Sequence, residues 1–219
     1  IGTNGEIALW HRGQLSCCST AAGPAFEGAG LSMGMAGKTG AVDHVRVQDG
    51  ALQAHVIGGG APKGICGSGV IDALACLVEL EQLDETGLLE QDPAPVAPPV
   101  CLTQKDVRMV QLAKSAICAG LSTLLRVEGL CGADAAELAV AGGFGSYLDV
   151  DSAGRIGLLP EELVPRVRVL GNAALSGAAM LLLNRGFIPR SEALAAGART
   201  VDLSTSAEFM NAYTEGMFF

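Results

Sequence analysis

The chain opens with Ile1-Gly2-Thr3-Asn4-Gly5-Glu6-Ile7-Ala8-Leu9, a glycine-rich turn that leads directly into an apolar run. Residues 7–10 are predicted to form a strand, residues 11–14 a turn and residues 15–19 the returning strand of a β-hairpin. Such turns expose backbone N–H groups, and concave arrays of these donors bind phosphate oxygens. Because Ile1 is not an initiating methionine, we interpret the chain as a piece of a longer protein that begins inside a β-hairpin.

The composition is that of a folded α/β protein. Apolar residues make up 49% of the 219 residues, charged residues make up 17%, and there are 30 glycines. The net charge of −9 argues against nucleic acid or an anionic membrane surface as partner, since both bind basic patches. The seven cysteines include no C-x-x-C pair, which favours reduced thiols and a cytoplasmic location. The sequence predicts no metal site.

The first half of the chain contains a predicted β insertion. Residues 42–47 and 52–57 alternate around Asp49-Gly50, a strong hairpin signal. Four prolines in residues 93–99 indicate a linker or a surface excursion. We therefore expect an inserted subdomain near residues 36–100.

Two helices have recognisable starts. Gly64-Ile65-Cys66-Gly67-Ser68-Gly69 precedes apolar residues at helical spacing, and Ser68 is predicted to be the N-cap. Thr103 with Asp106 resembles a capping box at the start of a long helix that ends near residue 125.

The second half repeats a strand–glycine pattern. Residues 138–141 are predicted to form a strand that ends in Gly142-Gly143-Phe144-Gly145. Residues 167–170 form a second strand, followed by Gly171-Asn172 and a helix over residues 173–183. Ligands bind at such strand ends in α/β sheets. The tail is expected to form a strand at 201–203 and a helix at 206–213.

Candidate ligand residues each have a simpler alternative. Glu6 could orient a water or a hydrated Mg²⁺, or be a solvent-facing strand end. Phe144 could lie beside a base, or belong to the core. Glu27 follows Gly23-Pro24-Ala25-Phe26 and could be a ligand, or a first-turn carboxylate favoured by the helix dipole.

Ser68, Gly69 and Asn172 could face a nucleotide, although helix capping alone would explain Ser68 and Asn172. No chemistry is assigned to the three histidines, for which the sequence shows neither metal spacing nor a partner suited to acid–base work.

Five motifs together carry a family resemblance. They closely resemble, in the same order, the carboxyl-terminal actin-like ATPase (ASKHA) domain of reductive activators of corrinoid proteins. The motifs are Gly2-Thr3-Asn4-Gly5-Glu6, Ala22-Gly23-Pro24-Ala25-Phe26-Glu27-Gly28-Ala29, Gly64-Ile65-Cys66-Gly67-Ser68-Gly69, Gly142-Gly143-Phe144-Gly145 and Gly171-Asn172-Ala173-Ala174-Leu175-Ser176-Gly177-Ala178.

The resemblance implies an actin-like, ribonuclease-H-like mixed sheet with flanking helices, of which residues 1–219 form the carboxyl-terminal half. Gly2, Thr3, Asn4 and Gly5 would approach the phosphates of ATP or ADP with Mg²⁺. Gly142, Gly143, Phe144 and Gly145 would form the adenosine-binding turn. Glu6 is the catalytic candidate, and residues 171–178 would resemble the second connecting helix.

The resemblance also implies what the rest of the protein does. The family uses ATP to drive electron transfer that returns an oxidised Co(II) corrinoid protein of a methyltransferase system to Co(I). A [2Fe–2S] ferredoxin-like domain and the first ATPase lobe would lie in the amino-terminal region, so ATPase activity is expected of the full-length protein. The sequence leaves open whether the protein is a homodimer. The alternative functions are a small-molecule kinase of the same superfamily and a non-catalytic protein-docking module.

Overall fold

The computed structural model describes residues 2–219. The strands are β1 Gly5–His11, β2 Gln14–Thr20, β3 Ala41–Gln48, β4 Ala51–Val56, β5 Gly64–Ile65, β6 Ala94–Ala97, β7 Val100–Leu102, β8 Leu138–Ala141, β9 Val167–Gly171 and β10 Arg199–Thr200. The α-helices are α1 Gly67–Glu79, α2 Gln104–Val127, α3 Val150–Arg155, α4 Ala173–Leu183, α5 Phe187–Gly197 and α6 Ala207–Glu215. Short 3-10 turns occupy Pro24–Glu27, Gly132–Asp134, Phe144–Tyr147 and Glu161–Arg166.

The strands form mixed sheets with helices against them. β2 lies between β1, which is antiparallel to it, and β10, which is parallel. β3 lies between antiparallel β4 and parallel β5, while β6 pairs with β7 and β8 pairs in parallel with β9. The predicted α/β class is therefore confirmed. The inserted subdomain near residues 36–100 stays a prediction.

Both predicted hairpins form because their turn residues accept left-handed backbone angles. Arg12 and Gly13 join β1 to β2 with φ of 47° and 82°, and Asp49 and Gly50 join β3 to β4 with φ of 51° and 75°. Positive φ at both central residues is the type I′ geometry, whose twist matches that of the flanking strands. The first hairpin pairs Gly5 with Thr20 at its open end.

Helix α1 begins earlier than the sequence predicts. Its N-cap is Cys66 and its first residue is Gly67, so the assignment of Ser68 as N-cap is wrong. The Ser68 hydroxyl donates instead to the Asp43 carbonyl at 2.9 Å. The physical reason is packing: α1 lies against β3, and a hydroxyl buried there needs an acceptor on that strand.

Helix α2 starts where the capping box predicts. Thr103 accepts a hydrogen bond from the Asp106 N–H, and the Asp106 carboxylate accepts one from the Thr103 N–H at 2.8 Å. The helix packs against β1 and β2 at Gly120, where a Cβ would lie 2.7 Å from Ile7 Cδ1. This close approach places the β1–β2 hairpin on the main core helix.

Two other predictions differ from the structure, and one helix is absent from the predictions. Residues 93–99 are not a linker, because they contain β6, whose Ala94 and Val96 are buried. Prolines alternate with inward apolar residues there, which an edge strand tolerates. The tail strand, predicted at residues 201–203, is β10 at Arg199–Thr200, so it starts two residues earlier. The sequence does not predict α5, because the apolar residues of this helix have no clear helical period.

Helix α2 also holds the carboxyl-terminal segment through a buried lysine. Lys114 is fully buried, and its Nζ donates to the carbonyls of Gly216, at 2.7 Å, and Phe218. The same Nζ lies 4.6 Å from the centre of the Phe219 ring. Burial lowers the pKa of Lys114 to about 8. Gln111 adds a bond to the Met217 carbonyl at 2.7 Å, so the last residues are held by side chains of α2.

We expect Lys114→Met to lower the free energy of unfolding by about 1–3 kcal/mol, because two carbonyls lose their buried donor. Urea unfolding of the protein, with Lys105→Met as control, measures the difference. Lys105 is on the same helix and exposed, so its replacement should change stability by less than about 0.5 kcal/mol. Equal stability of the two variants would contradict a structural role for Lys114.

Candidate functional site

The opening turn is bonded to the loop that follows β2. The Gly23 N–H donates to the Thr3 carbonyl at 2.8 Å, and the Thr3 hydroxyl donates to Glu27 Oε1 at 3.1 Å. A Cβ on Gly2 would lie 3.2 Å from the same Glu27 oxygen. Thr3, Asn4 and Glu27 are exposed. The structure therefore brings the candidates Gly2, Thr3 and Glu27 together at the surface, with Asn4 beside them in the chain.

Gly5 and Glu6 have different surroundings. A Cβ on buried Gly5 would lie 2.6 Å from Thr20 Oγ1 and 3.1 Å from Ile117 Cγ1, so packing requires a glycine there. Glu6 is exposed on β1, and its Oε1 accepts a hydrogen bond from the Ser19 hydroxyl at 3.0 Å. This bond ties the Glu6 carboxylate to β2 and leaves it solvated, as orienting a water requires.

Phe26 connects three segments of the site. Its ring stacks on Phe144 with centroids 5.2 Å apart and planes 22° apart. Its carbonyl oxygen lies so close to Gly67 that a Cβ there would overlap it, and the same Cβ would be 3.1 Å from Phe144 Cε2. The 3-10 turn Pro24–Glu27, the start of α1 and the turn after β8 are thus packed together around one buried ring.

The glycines of the turn after β8 differ in their structural roles. Gly142 has a φ of 105° and donates its N–H to the Gly171 carbonyl at 2.8 Å, which joins the carboxyl ends of β8 and β9. A Cβ on Gly145 would lie 2.6 Å from Val140 Cγ1, so packing excludes a side chain. Gly143 has a φ of −61° and open space around the position of a Cβ. Neither backbone strain nor packing requires a glycine at 143.

Ser68, Gly69 and Asn172 have structural partners. Ser68 and Gly69 are buried in α1, and a Cβ on Gly69 would overlap the Val42 carbonyl. Asn172 is the N-cap of α4, and its side chain accepts from the Leu175 N–H at 3.0 Å. Capping therefore accounts for Asn172, while Ser68 and Gly69 pack against β3.

Sequence reasoning missed two features near these loops. Phe26 appeared only as part of a motif, although its ring joins the turns; its flanking glycines were the available signal. Tyr147 ends the 3-10 turn after Gly143 with 69% of its side chain exposed, which is unusual for an aromatic residue.

Two histidines pair with carboxylates, which the sequence does not indicate. His44 Nδ1 lies 2.9 Å from Asp72 Oδ2, and His55 Nδ1 lies 2.5 Å from Asp43 Oδ1. Burial raises the pKa of Asp72 despite the His44 hydrogen bond. These partners come from different strands or helices, which the spacing of the sequence does not reveal.

The cysteines are separate thiols. All seven are free, and burial raises the pKa of both Cys18 and Cys76 to about 11. Cys131 is exposed. Among residues 2–219, no three His, Cys, Asp or Glu side chains lie where they could share a metal ion. Nor, within that range, is any helix both long and apolar enough to cross a membrane.

Comparison with known proteins places this arrangement in a family. The model of the carboxyl-terminal domain of RACo, the ASKHA domain, matches residues 1–219. The chain belongs to this family, and the predicted actin-like fold and family resemblance are confirmed.

Individual relatives agree with the family model. The chain is 38% identical over 248 residues to a protein of Eubacterium limosum named corrinoid activation enzyme RamQ, covering 100% of this chain and 42% of the relative. It is 31% identical over 206 residues to the [Co(II) methylated amine-specific corrinoid protein] reductase of Methanosarcina barkeri, covering 84% of this chain and 38% of the relative.

A solved structure titled reductive activator for corrinoid, iron-sulfur protein superposes with a TM-score of 0.88 at 32% identity. The match covers 100% of this chain and 38% of that one. The chain thus spans about two fifths of the length of these similar proteins.

We expect Gly67→Ala to destabilise the protein by about 1–3 kcal/mol, because its Cβ would displace the Phe26 carbonyl. Gly143→Ala, which meets open space, should change stability by less than about 0.5 kcal/mol. Thermal and urea unfolding of both variants would measure this contrast. A neutral Gly67→Ala would show that the start of α1 can move away from Phe26.

Proposed function

We propose that this chain is the nucleotide-binding lobe of an ATP-dependent reductive activator, which returns an oxidised Co(II) corrinoid protein to Co(I) for methyl transfer. The observation that carries the proposal is Gly143. It lies in a turn whose Phe144 stacks on Phe26, the neighbour of Glu27, yet neither its φ nor its neighbours require a glycine. An absent side chain there leaves room for a ligand to approach the backbone.

The phosphates of Mg-ATP would bind at the opening turn. Its backbone N–H groups are the donors, and the Thr3 hydroxyl, which donates its hydrogen to the Glu27 carboxylate, holds the turn in place. Mg²⁺ keeps several waters when it binds nucleotide, so one or two carboxylates suffice near it. Glu6 and Glu27 are the candidates, with Glu6 orienting the attacking water and its own position set by Ser19.

The adenosine would lie along residues 142–145. The Phe26 stack covers one face of the Phe144 ring and so fixes that ring, and the base would contact the open side of the turn at Gly143. Asn172 and the pair Ser68 and Gly69 would shape the site through the α4 and α1 starts.

The names of the relatives favour a reductive activator over a small-molecule kinase. One is named a corrinoid activation enzyme and the other a reductase of a corrinoid protein. Because this chain spans about two fifths of their length, the electron donor and the first ATPase lobe would belong to the rest of the protein. A [2Fe–2S] cluster in the amino-terminal region would supply the one electron that converts Co(II) to Co(I), in the cytoplasm.

ATP would act by changing the conformation of the two-lobed domain. A ligand shifts an equilibrium only by its differential affinity for the two states. Binding between the lobes would favour a closed state, and hydrolysis would release it, which changes how the protein holds its corrinoid partner. The loops packed around Phe26 would let phosphate and adenosine contacts act together.

We expect calorimetric titration of the intact protein to show saturable binding of Mg-ATP and Mg-ADP, which Gly143→Leu abolishes by filling the open space. Gly143→Ala should weaken binding less, and all three proteins should unfold at the same temperature. Nucleotide binding unchanged by Gly143→Leu would contradict the adenosine assignment, and an absence of binding by the wild type would contradict the proposed function.

We expect Glu6→Gln to lower the rate of ATP hydrolysis by the intact protein by about 10²–10⁴-fold, the usual contribution of a general base, with little change in ATP affinity. Phosphate release and calorimetry measure the two quantities. Glu27→Gln is the matched comparison: it alters the carboxylate bonded to Thr3, so it should weaken ATP binding. Undiminished hydrolysis by Glu6→Gln would exclude the catalytic role of Glu6.

A further inference from the structure

Asn4 in the opening turn is followed by Gly5, and this is the only Asn-Gly pair in the chain. The other asparagines, Asn172, Asn184 and Asn211, precede alanine or arginine. All four asparagines are exposed, so they differ in the residue that follows them rather than in access to water. Because Gly5 has no Cβ, its backbone nitrogen is open to approach by the Asn4 side chain.

Packing requires the glycine at position 5. The residue is buried, and a Cβ there would lie 2.6 Å from Thr20 Oγ1 and 3.1 Å from Ile117 Cγ1. Strand β2 and helix α2 therefore exclude any side chain that would hinder attack on Asn4. Asparagine is one of the thermolabile residues of proteins, and this packing keeps Asn4 in a reactive sequence.

The Asn4 side chain is free to turn toward Gly5. Within residues 2–219 it has no hydrogen-bond partner, and the turn is held instead by backbone bonds such as that from the Gly2 N–H to the Asn4 carbonyl at 3.0 Å. The side chains of Asn172 and Asn184, by contrast, accept backbone N–H bonds at 3.0 and 2.9 Å. Exposure, freedom to rotate and a following glycine thus coincide at Asn4.

We propose that Asn4 is a site of spontaneous modification, at which the side-chain amide becomes a carboxylate. The Gly5 backbone nitrogen loses its proton and attacks the Asn4 Cγ atom, and the side-chain nitrogen leaves as ammonia. Water then opens the resulting succinimide ring at one of its two carbonyls, which gives aspartate or isoaspartate at position 4. Both steps are acyl substitutions with water as the only co-reactant, so neither an oxidant nor a reductant is consumed.

The new carboxylate would change the charge of the opening turn. Glu6 and Glu27 are exposed there, and neither forms an ion pair among the described residues. A third carboxylate would repel phosphate oxygens with no cation of the turn to offset it. Isoaspartate would also lengthen the main chain by one carbon beside Thr3, whose hydroxyl is bonded to Glu27. This effect on binding rests on the proposed function, whereas the modification itself does not.

Peptide mass spectrometry of the intact protein, sampled during incubation in mildly alkaline buffer, tests the modification. Asn4 should become an acid at least about tenfold faster than Asn211, which is also exposed but precedes Ala212. Fragmentation between backbone nitrogen and Cα distinguishes isoaspartate from aspartate. A smaller difference between the two rates would overturn the proposal.

A synthetic peptide of residues 2–8 shows whether the folded turn itself reacts. A reaction confined to unfolded molecules would proceed at no more than about a thousandth of the peptide rate, because the unfolded fraction of a folded protein is that small. Asn4 in the intact protein should react faster than this limit. A rate at or below the limit would overturn the proposal, since the native turn would then prevent the attack.

The variant Asn4→Gln tests the link between modification and binding. A glutamine would have to close a larger ring, so it should remain an amide during the same incubation. Incubated wild-type protein should therefore lose affinity for Mg-ATP with the time course of acid formation at position 4, while Asn4→Gln keeps its own starting affinity. Equal losses in the two proteins would show that the decline has another origin and would overturn the binding effect.

The variant Asn4→Asp carries the product carboxylate from the start. It should bind Mg-ATP about fivefold more weakly than the wild type in calorimetry, the effect of one unit charge about 4 Å from a phosphate in water. Equal affinity would overturn the binding effect. If the wild type binds no nucleotide, the proposed function and the binding effect both fail, while the mass spectra still decide whether Asn4 is modified.

Discussion

The arrangement of the candidate site depends on a contact between backbones. Gly67, the first residue of α1, lies against the Phe26 carbonyl at a distance that excludes any side chain. This contact brings the Phe26 ring onto Phe144, and the loop that carries Phe26 is itself bonded to Thr3. A methyl group on Gly67 would push the start of α1 away from the Phe26 carbonyl and the Phe144 ring. The position of α1 and the geometry of the surface loops are therefore coupled, since a densely packed interior transmits small shifts.

The fold was predictable where local chemistry alone determines structure. The Arg12-Gly13 and Asp49-Gly50 turns accept positive φ, and the capping box of Thr103 satisfies the first donors of α2, so both hairpins and the long helix follow from a few residues each. The rest of the fold depends on tertiary packing, which local sequence does not reveal. Residues 94–97 form a strand despite nearby prolines because Ala94 and Val96 are buried, and Ser68 is drawn into α1 by an acceptor on β3.

The candidate site illustrates why glycine motifs are ambiguous. The sequence located the loops, and the structure brings Gly2, Thr3 and Glu27 together, with Phe144 held near them by Phe26. A glycine, however, can serve tight packing, a left-handed turn or the approach of a ligand, and the three uses look alike in a sequence. Packing accounts for Gly5, Gly69 and Gly145, backbone angle accounts for Gly142, and Gly143 has neither explanation. The roles of these residues in nucleotide binding stay predictions.

The unequal burial of the cysteines has a practical consequence for chemical labelling. Cys18 and Cys76, with pKa values near 11, stay protonated at neutral pH, and thiol reagents attack the thiolate. Cys131 is exposed, next to the 3-10 turn Gly132–Asp134. A maleimide dye added briefly at neutral pH should therefore reach Cys131 before those two thiols. Cys131 thus offers a native attachment point for a fluorophore that is more accessible than Cys18 and Cys76.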